Sequence, residues 1–396
     1  MKSRWGLAAV AAMAILAWGS CSNSRGPAKA SRMWIATQGD QMVRTYTISH
    51  SNGSVLAVGN SNGSPAATGV QPVEMAVTPD GKAMFIVNSG AGGTTGTITA
   101  YTISGDGSLK AAGAGVQAGE APISLALDPG GKFLFVANQG TSADPASGTI
   151  SVFSISGTSL SEVAGSPFPT EPGPSAVVVS PAGNFLYVAN AFNSSVESFS
   201  FDTSGALTLI RSYSAGSNPS GLAFSRCAGI TSATPSCAAA DGNHLFVSNS
   251  GSNTITIFSA CIQVSATCSS PDGTLAEIPS GSPVPAGVGP ARILIDPTSD
   301  FVYVVDRGSN EVSAYQYSPV TGALSSIGRA AGGASVFSGG ITANISNSTN
   351  TFNWVVLTNN GASNLSIFRV SIAGQLIGLS SGVFPVQGQP SAILLR

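Results

Sequence analysis

The sequence predicts an all-β chain folded as a seven-bladed β-propeller of four-stranded antiparallel blades, and three observations carry that prediction. First, the strand-like segment Phe185-Leu-Tyr-Val-Ala-Asn190 recurs in near variants: Met33-Trp-Ile-Ala-Thr37, Ala83-Met-Phe-Ile-Val-Asn88, Phe133-Leu-Phe-Val-Ala-Asn138, His244-Leu-Phe-Val-Ser-Asn249, Phe301-Val-Tyr-Val-Val-Asp306 and Asn353-Trp-Val-Val-Leu-Thr-Asn359. Copies spaced roughly 50 to 60 residues apart are the mark of a repeat architecture. Second, charged residues make up only 9% of the 396 residues, while 48 glycines and many Ser, Thr and Asn supply polarity and turns. Long amphipathic helices need a charged face that this composition does not provide. Third, residues 389–395 read as a first strand with nothing after them, whereas the first copy, at Met33, has no first strand of its own. The C-terminal strand therefore completes the N-terminal blade and closes the ring, leaving no free radial edge.

The repeating unit is clearest at residues 73–115. Residues 73–78 form a first strand, the Pro79-Asp80-Gly81-Lys82 turn reverses the chain, and residues 83–88 form the second. Alternation at 97–103 marks a third strand, Gly105-Asp106-Gly107 turns again, and 109–115 is a weak fourth. Strands of β-branched and aromatic residues stopped by Asn, Asp and Gly are the expected pieces of a propeller blade. Later first strands fall at 123–128, 175–180, 220–225, 291–296 and 339–345; third strands fall at 149–155, 195–201, 254–260, 311–317 and 364–370. In the first copy, 43–48 supplies the third strand and 54–59 the fourth. A single propeller domain over 33–396 follows.

Ahead of it, residues 1–21 read as an export signal. Lys2 and Arg4 form a basic start, residues 5–17 are apolar but short for a membrane span, and the segment runs into Trp18-Gly19-Ser20-Cys21. Small residues before a cysteine resemble a lipoprotein cleavage site, apart from Trp18 where that pattern usually has Leu, with Cys21 as the expected lipid-attachment residue and 22–32 as a tether. The expected location is the cell envelope, as an outer-membrane lipoprotein or else periplasmic or secreted, touching a membrane only through its lipid. The remaining cysteines, Cys227, Cys237, Cys261 and Cys268, all fall in the fifth blade. An even number in an exported chain suggests two disulfides. Cys227–Cys237 with Cys261–Cys268 is the simplest pairing, and the other two connectivities stay open. No metal or cofactor is expected.

A net charge of −2 and the lack of a basic face argue against nucleic acid. Function is expected where the second-to-third-strand loops and the blade-linking segments gather around the central channel. The ionisable residues placed there are Glu74, Glu120, Glu171, Arg292, Asp306 and Arg307. His50 and His244, the chain's two histidines, fall at turns of the opposite rim.

The unit Pro-x-x-apolar-Ala-x-x-Pro-x-Gly-Lys-x-Leu-Phe/Tyr-Val-x-Asn-x-Gly, seen at 122–140 and 174–190, resembles the seven-bladed lactonase family that includes 6-phosphogluconolactonase, and is similar to YVTN-type propeller repeats. The resemblance covers nearly all of 33–396. It implies a funnel whose lactone-acting members carry His, Arg and Glu at the start of the innermost strands. The matching segments here are Gln71-Pro-Val-Glu74, Ala121-Pro-Ile-Ser124, Gly173-Pro-Ser-Ala176, Asn218-Pro-Ser-Gly221, Gly289-Pro-Ala-Arg292 and Gln389-Pro-Ser-Ala392. None contains His, and only Glu74 and Arg292 carry charge at the matching step. Two readings follow. One is a monomeric, non-catalytic module that offers its mouth to a protein or polysaccharide. The other is an extracytoplasmic lactonase acting on a small lactone, with Glu74 as base and Arg292 as oxyanion donor. The pair must lie within reach of one substrate for the second to hold.

Overall fold

The computed structural model describes residues 30–60, 63–91, 95–140, 147–225, 243–265, 268–279, 281–297, 300–342 and 352–396. The leader with Cys21, the tether up to residue 29, and Cys227 and Cys237 lie outside the described residues.

Seven antiparallel sheets form, each running from an innermost to an outermost strand. In the first, Ala30–Thr37 pairs with Met42–Ser49 on one side and with the C-terminal strand Pro390–Leu395 on the other. Its register runs Met33↔Leu395, Trp34↔Leu394, Ile35↔Ile393 and Ala36↔Ala392. The ring is closed as the sequence predicts. The closing strand is also tied forward into the second blade: the Ser391 hydroxyl donates to the Pro72 carbonyl at 2.5 Å and the Arg396 guanidinium donates to the Thr78 and Pro79 carbonyls. The N-terminal strand extends ahead of Met33: Ala30 and Ser31 pair with Ser49 and Ile48, and Arg32 and Arg396 exchange backbone hydrogen bonds.

The innermost strands are Pro390–Leu395, Pro72–Val77, Pro122–Leu127, Pro174–Val179, Pro219–Phe224, Pro290–Ile295 and Val336–Ile341. Most begin one residue earlier than the sequence pattern suggests, at the proline itself. A proline cannot donate to a ladder, but here its carbonyl side faces the end of the second strand, as in Pro72↔Asn88 and Pro290↔Asp306. In the seventh blade no proline marks the start, and the strand lies three residues ahead of the expected 339. Its entry residue Ser335 takes the left-handed conformation (φ 55°) that Gln71 and Asn218 adopt in other links.

The second strands, such as Phe185–Asn190 and Phe301–Asp306, are buried almost throughout. Their alternate side chains pack into the two neighbouring blades, which is why these segments read as continuous apolar runs. In three blades the aromatic residue three places before the end of the second strand is tied to the next blade. Tyr187 donates to the Gly273 carbonyl of the next blade at 3.0 Å, Tyr303 to Gly374 at 2.9 Å, and Trp34 in the first blade to Gly107 at 2.9 Å. Outermost strands vary. They are continuous in the fourth, sixth and seventh blades, and broken into two short pieces in the other four.

On the rim away from the mouth, His50 and His244 are more than turn residues. Both are buried; His50 Nε2 lies 2.9 Å from the Ser31 hydroxyl and His244 Nδ1 2.6 Å from the Tyr317 hydroxyl. Burial lowers the His244 pKa to about 4, so it stays neutral at ordinary pH. Cys261 and Cys268 are disulfide-bonded to each other in the fifth blade, as the simplest pairing requires.

Candidate functional site

A bulge opens every innermost strand. In the second blade Pro72 pairs with Asn88 and Glu74 with Val87, leaving Val73 as the extra residue. In the sixth, Pro290 pairs with Asp306 and Arg292 with Val305, leaving Ala291. A bulge re-aims the side chains beside it. At the step of Glu74 and Arg292 the other blades carry Ser124, Ala176, Gly221, Ser338 and Ala392, all small and buried, and the Ser124 hydroxyl accepts from Val177 N of the next blade at 3.3 Å. A Cβ on Gly221 would stand 2.4 Å from the Ala291 carbonyl oxygen, so even alanine would press the fifth blade against the sixth.

A second device sets the rim. The residue that enters each innermost strand accepts a hydrogen bond from the residue just past the second strand. Examples are Gln139 N to the Ala121 carbonyl at 3.1 Å, Ser250 N to Asn218 at 2.9 Å and Arg307 N to Gly289 at 3.0 Å. Several of these entry residues, Ala121 (φ 47°) and Asn218 (φ 54°) among them, sit in left-handed backbone that side chains ordinarily avoid. The repeated clasp fixes a ring of post-strand residues around the mouth. Of these, Gln139, Ala191, Ser250 and Arg307 line the cavity together with Glu74 and Arg292.

That cavity has a volume of about 300 Å³, the low end of the range for small-molecule sites. Within it, Arg292 Nη1 lies 2.9 Å from Glu74 Oε1, joining blades two and six across the channel. Glu74 Oε2 accepts from the Leu125 backbone N–H at 3.0 Å. Both side chains keep a solvent-facing edge, 18% for Glu74 and 31% for Arg292. The two residues expected to act together are thus brought into contact, although 218 positions separate them in the chain.

Arg307 stands in the same cavity. Its Nε donates to the Phe337 carbonyl at 2.6 Å and its guanidinium lies 4.2 Å from the centre of the Phe337 ring. Arg307 is exposed at the mouth, yet the protein packed around its guanidinium and the neighbouring Arg292 charge lower its pKa to about 10, which leaves it a cation at neutral pH.

The other expected mouth residues sit elsewhere. Asp306 is 0% exposed and turns back into its own blade, where the Ser313 hydroxyl donates to Oδ2 at 2.6 Å. The asparagines at this step do the same structural work. Asn138 accepts from Gly119 N and donates to the Thr149 and Ser151 hydroxyls, and Asn359 accepts from Gly333 N and donates to Asn364 and Ser366. The Asn that recurs in the sequence is a staple between blade link and third strand, not a ligand group. Asp306 fills this role poorly, because burial pushes its pKa up to about 6 against the help of Ser313. A carboxyl whose folded pKa is raised stabilises the fold below its unfolded pKa near 4 and loses that contribution as pH rises through 6. Asp306→Asn is therefore expected to raise stability at pH 7 by about 1–2 kcal/mol, read as a higher thermal midpoint than wild type at pH 7 with the difference shrinking toward pH 4.

On the blade link, Glu171 accepts from the hydroxyl of Ser195 at the start of the third strand. Burial works against its charged form, yet hydrogen bonds from Ser195, Asn193 and Ser212 outweigh it and keep the carboxyl below its usual pKa. Beneath it Glu197, buried and raised in pKa by that burial, accepts from Asn190 Nδ2 at 2.8 Å and Glu171 N at 3.0 Å. Glu120 is exposed on the outer rim. Neither Glu120 nor Glu171 lines the cavity. Sequence reasoning passed over Gln139 and Phe337 and named Asn218 only as part of a strand-start segment; their shared signal is position, just after a second strand or at the entry to a first. Among the described residues no three His, Cys, Asp or Glu side chains gather as metal ligands.

The fold is a closed seven-bladed propeller with a small polar funnel that the Glu74–Arg292 ion pair crosses. The chain belongs to the family described as "Lactonase, 7-bladed beta-propeller", whose model matches residues 32–165, 148–263 and 262–388. Among solved structures, the Pseudomonas aeruginosa periplasmic gluconolactonase PpgL is similar at 20% identity and TM-score 0.70, covering 92% of this chain and 99% of that one. A putative 6-phosphogluconolactonase from Bacteroides uniformis is similar at 16% identity and TM-score 0.68, covering 93% and 100%. One from Bacteroides fragilis stands at 17% and 0.68, covering 93% and 98%. At these identities the likeness is one of fold. No curated protein sequence matches the chain.

Proposed function

We propose that the protein is an extracytoplasmic lactonase, a carboxylic-ester hydrolase acting on a small lactone at the channel mouth. The observation that carries this reading is the Glu74–Arg292 contact of 2.9 Å inside a cavity of about 300 Å³. Hydrolysis needs a base for water and a donor for the oxyanion within reach of one carbonyl carbon. Glu74 takes the proton from a water poised over the lactone carbonyl. The water oxygen bonds to that carbon, and charge passes to the carbonyl oxygen, which Arg292 stabilises. Collapse of the tetrahedral species breaks the ring C–O bond, and the proton held by Glu74 goes to the departing alkoxide, leaving a hydroxy acid. A cyclic ester of this kind is activated enough for a carboxylate base to suffice where no histidine reaches the cavity. Family membership supports the reaction class, as do the lactonase descriptions of the similar structures.

A non-catalytic binding module is the second reading. It is favoured by the engagement of both Glu74 oxygens, one by Arg292 and one by Leu125 N. Acid release from δ- and γ-aldonolactones by the purified protein, above the spontaneous rate, separates the two; no release from any of them leaves the binding module. Export is supported by the Cys261–Cys268 disulfide, a bond favoured outside the cytosol, and by the leader-like residues 1–21. A lipid anchor at Cys21 and a monomeric state complete the proposal.

A further inference from the structure

The three charged side chains that line the cavity are Glu74, Arg292 and Arg307. Glu74 and Arg292 neutralise one another. Among the described residues no carboxylate lies within ion-pair distance of Arg307, so the described lining carries one cation beyond the Glu74–Arg292 pair. That cation is fixed in place. Its backbone N–H is clasped to Gly289, its Nε to the Phe337 carbonyl, and its guanidinium rests against the Phe337 ring. With Nε and one face engaged, the terminal N–H groups are left to meet a ligand. Two parallel N–H donors in a rigid plane match a carboxylate better than any neutral group. The rest of the polar lining is neutral, with Gln139 and Asn218 able to donate and accept toward hydroxyls.

We propose that Arg307 makes the mouth a receptor for a small polyhydroxylated monocarboxylate, the ring-opened hydroxy acid, held by its carboxylate on Arg307 and by its hydroxyls on the neutral lining. This rests on the lactonase reading only for the origin of the acid; the receptor stands on the charge balance of the cavity. A neutral lactone offers Arg307 no anion, so the acid binds more tightly than the lactone and competes with it. The protein then slows as its product accumulates. The place of such a site in a reaction sequence is ahead of a step that consumes a sugar acid.

The test is calorimetric titration of the full chain with gluconate, with glucose as the uncharged polyol and inorganic phosphate as an anion without the polyol. Gluconate is expected to bind at least about tenfold tighter than glucose, and Arg307→Gln to remove that advantage. Arg307→Lys, which keeps the charge and loses the planar fork, is expected to retain part of it. No lactone turnover by the wild-type protein, with gluconate still bound, would refute the hydrolase reading and leave the receptor standing. Equal binding of gluconate and glucose, an unchanged affinity in Arg307→Gln, or phosphate competing as well as gluconate would overturn the receptor.

Discussion

Glu74→Gln is expected to lower lactone turnover by about 10²- to 10⁴-fold, the usual contribution of a general base, while leaving the fold in place. Glutamine keeps the length of the side chain, and its carbonyl can still accept from Leu125 N, now 3.0 Å from Glu74 Oε2. What it loses is a lone pair basic enough to take a proton and the charge opposite Arg292. Since both partners are partly solvated, at 18% and 31% exposure, loss of the pair should cost on the order of 1 kcal/mol of stability. The thermal midpoint therefore moves by a few degrees at most for a chain of this size. A loss of kcat with an unchanged midpoint assigns the effect to chemistry. Parallel losses of both would mean that the pair only braces the channel.

Deletion of residues 389–396 is expected to abolish soluble expression or to lower the thermal midpoint drastically. The last strand buries Ala392 and Ile393 to 1% and 2% exposure and covers the edge of Ala30–Thr37, whose Met33, Trp34 and Ile35 are themselves at most 1% exposed. At roughly 1.5–3 kcal/mol for each large apolar side chain buried, this strand supplies several kcal/mol, a large share of the 5–15 kcal/mol that holds an ordinary domain together. The ties from Ser391 to Pro72 and from Arg396 to Thr78 and Pro79 are lost with it. The uncovered strand would present an open, apolar edge, which invites association. A truncated protein that stays soluble and melts with the full chain would show that ring closure is dispensable.

The architecture was legible because its determinants are local. Period-two alternation, Asn or Asp at strand ends and Gly-rich turns repeat in every unit, and the unmatched strand at the C-terminus follows by counting. Glu74 and Arg292 were legible as candidates from their place after a proline, but their contact depends on the angle between blades two and six, which no local pattern encodes. Asp306 was placed at the mouth because its position in the chain lies there. Its side chain turns back to Ser313 because the strand end needs a staple, a requirement that the recurring asparagines record without explaining. Arg307 was found by charge alone; its Phe337 shelf lies in the next blade, in a first strand displaced from its expected start. The histidines illustrate the same limit, since the Tyr317 partner of His244 stands 73 residues away.

The most direct test of the account is a double-mutant cycle on lactone turnover with Glu74→Gln, Arg292→Gln and the pair combined. Residues that act as one unit on one substrate lose their effects together. The account predicts that the double variant is about as slow as the slower single variant. Losses that multiply across the two sites, or turnover untouched by either change, would contradict it.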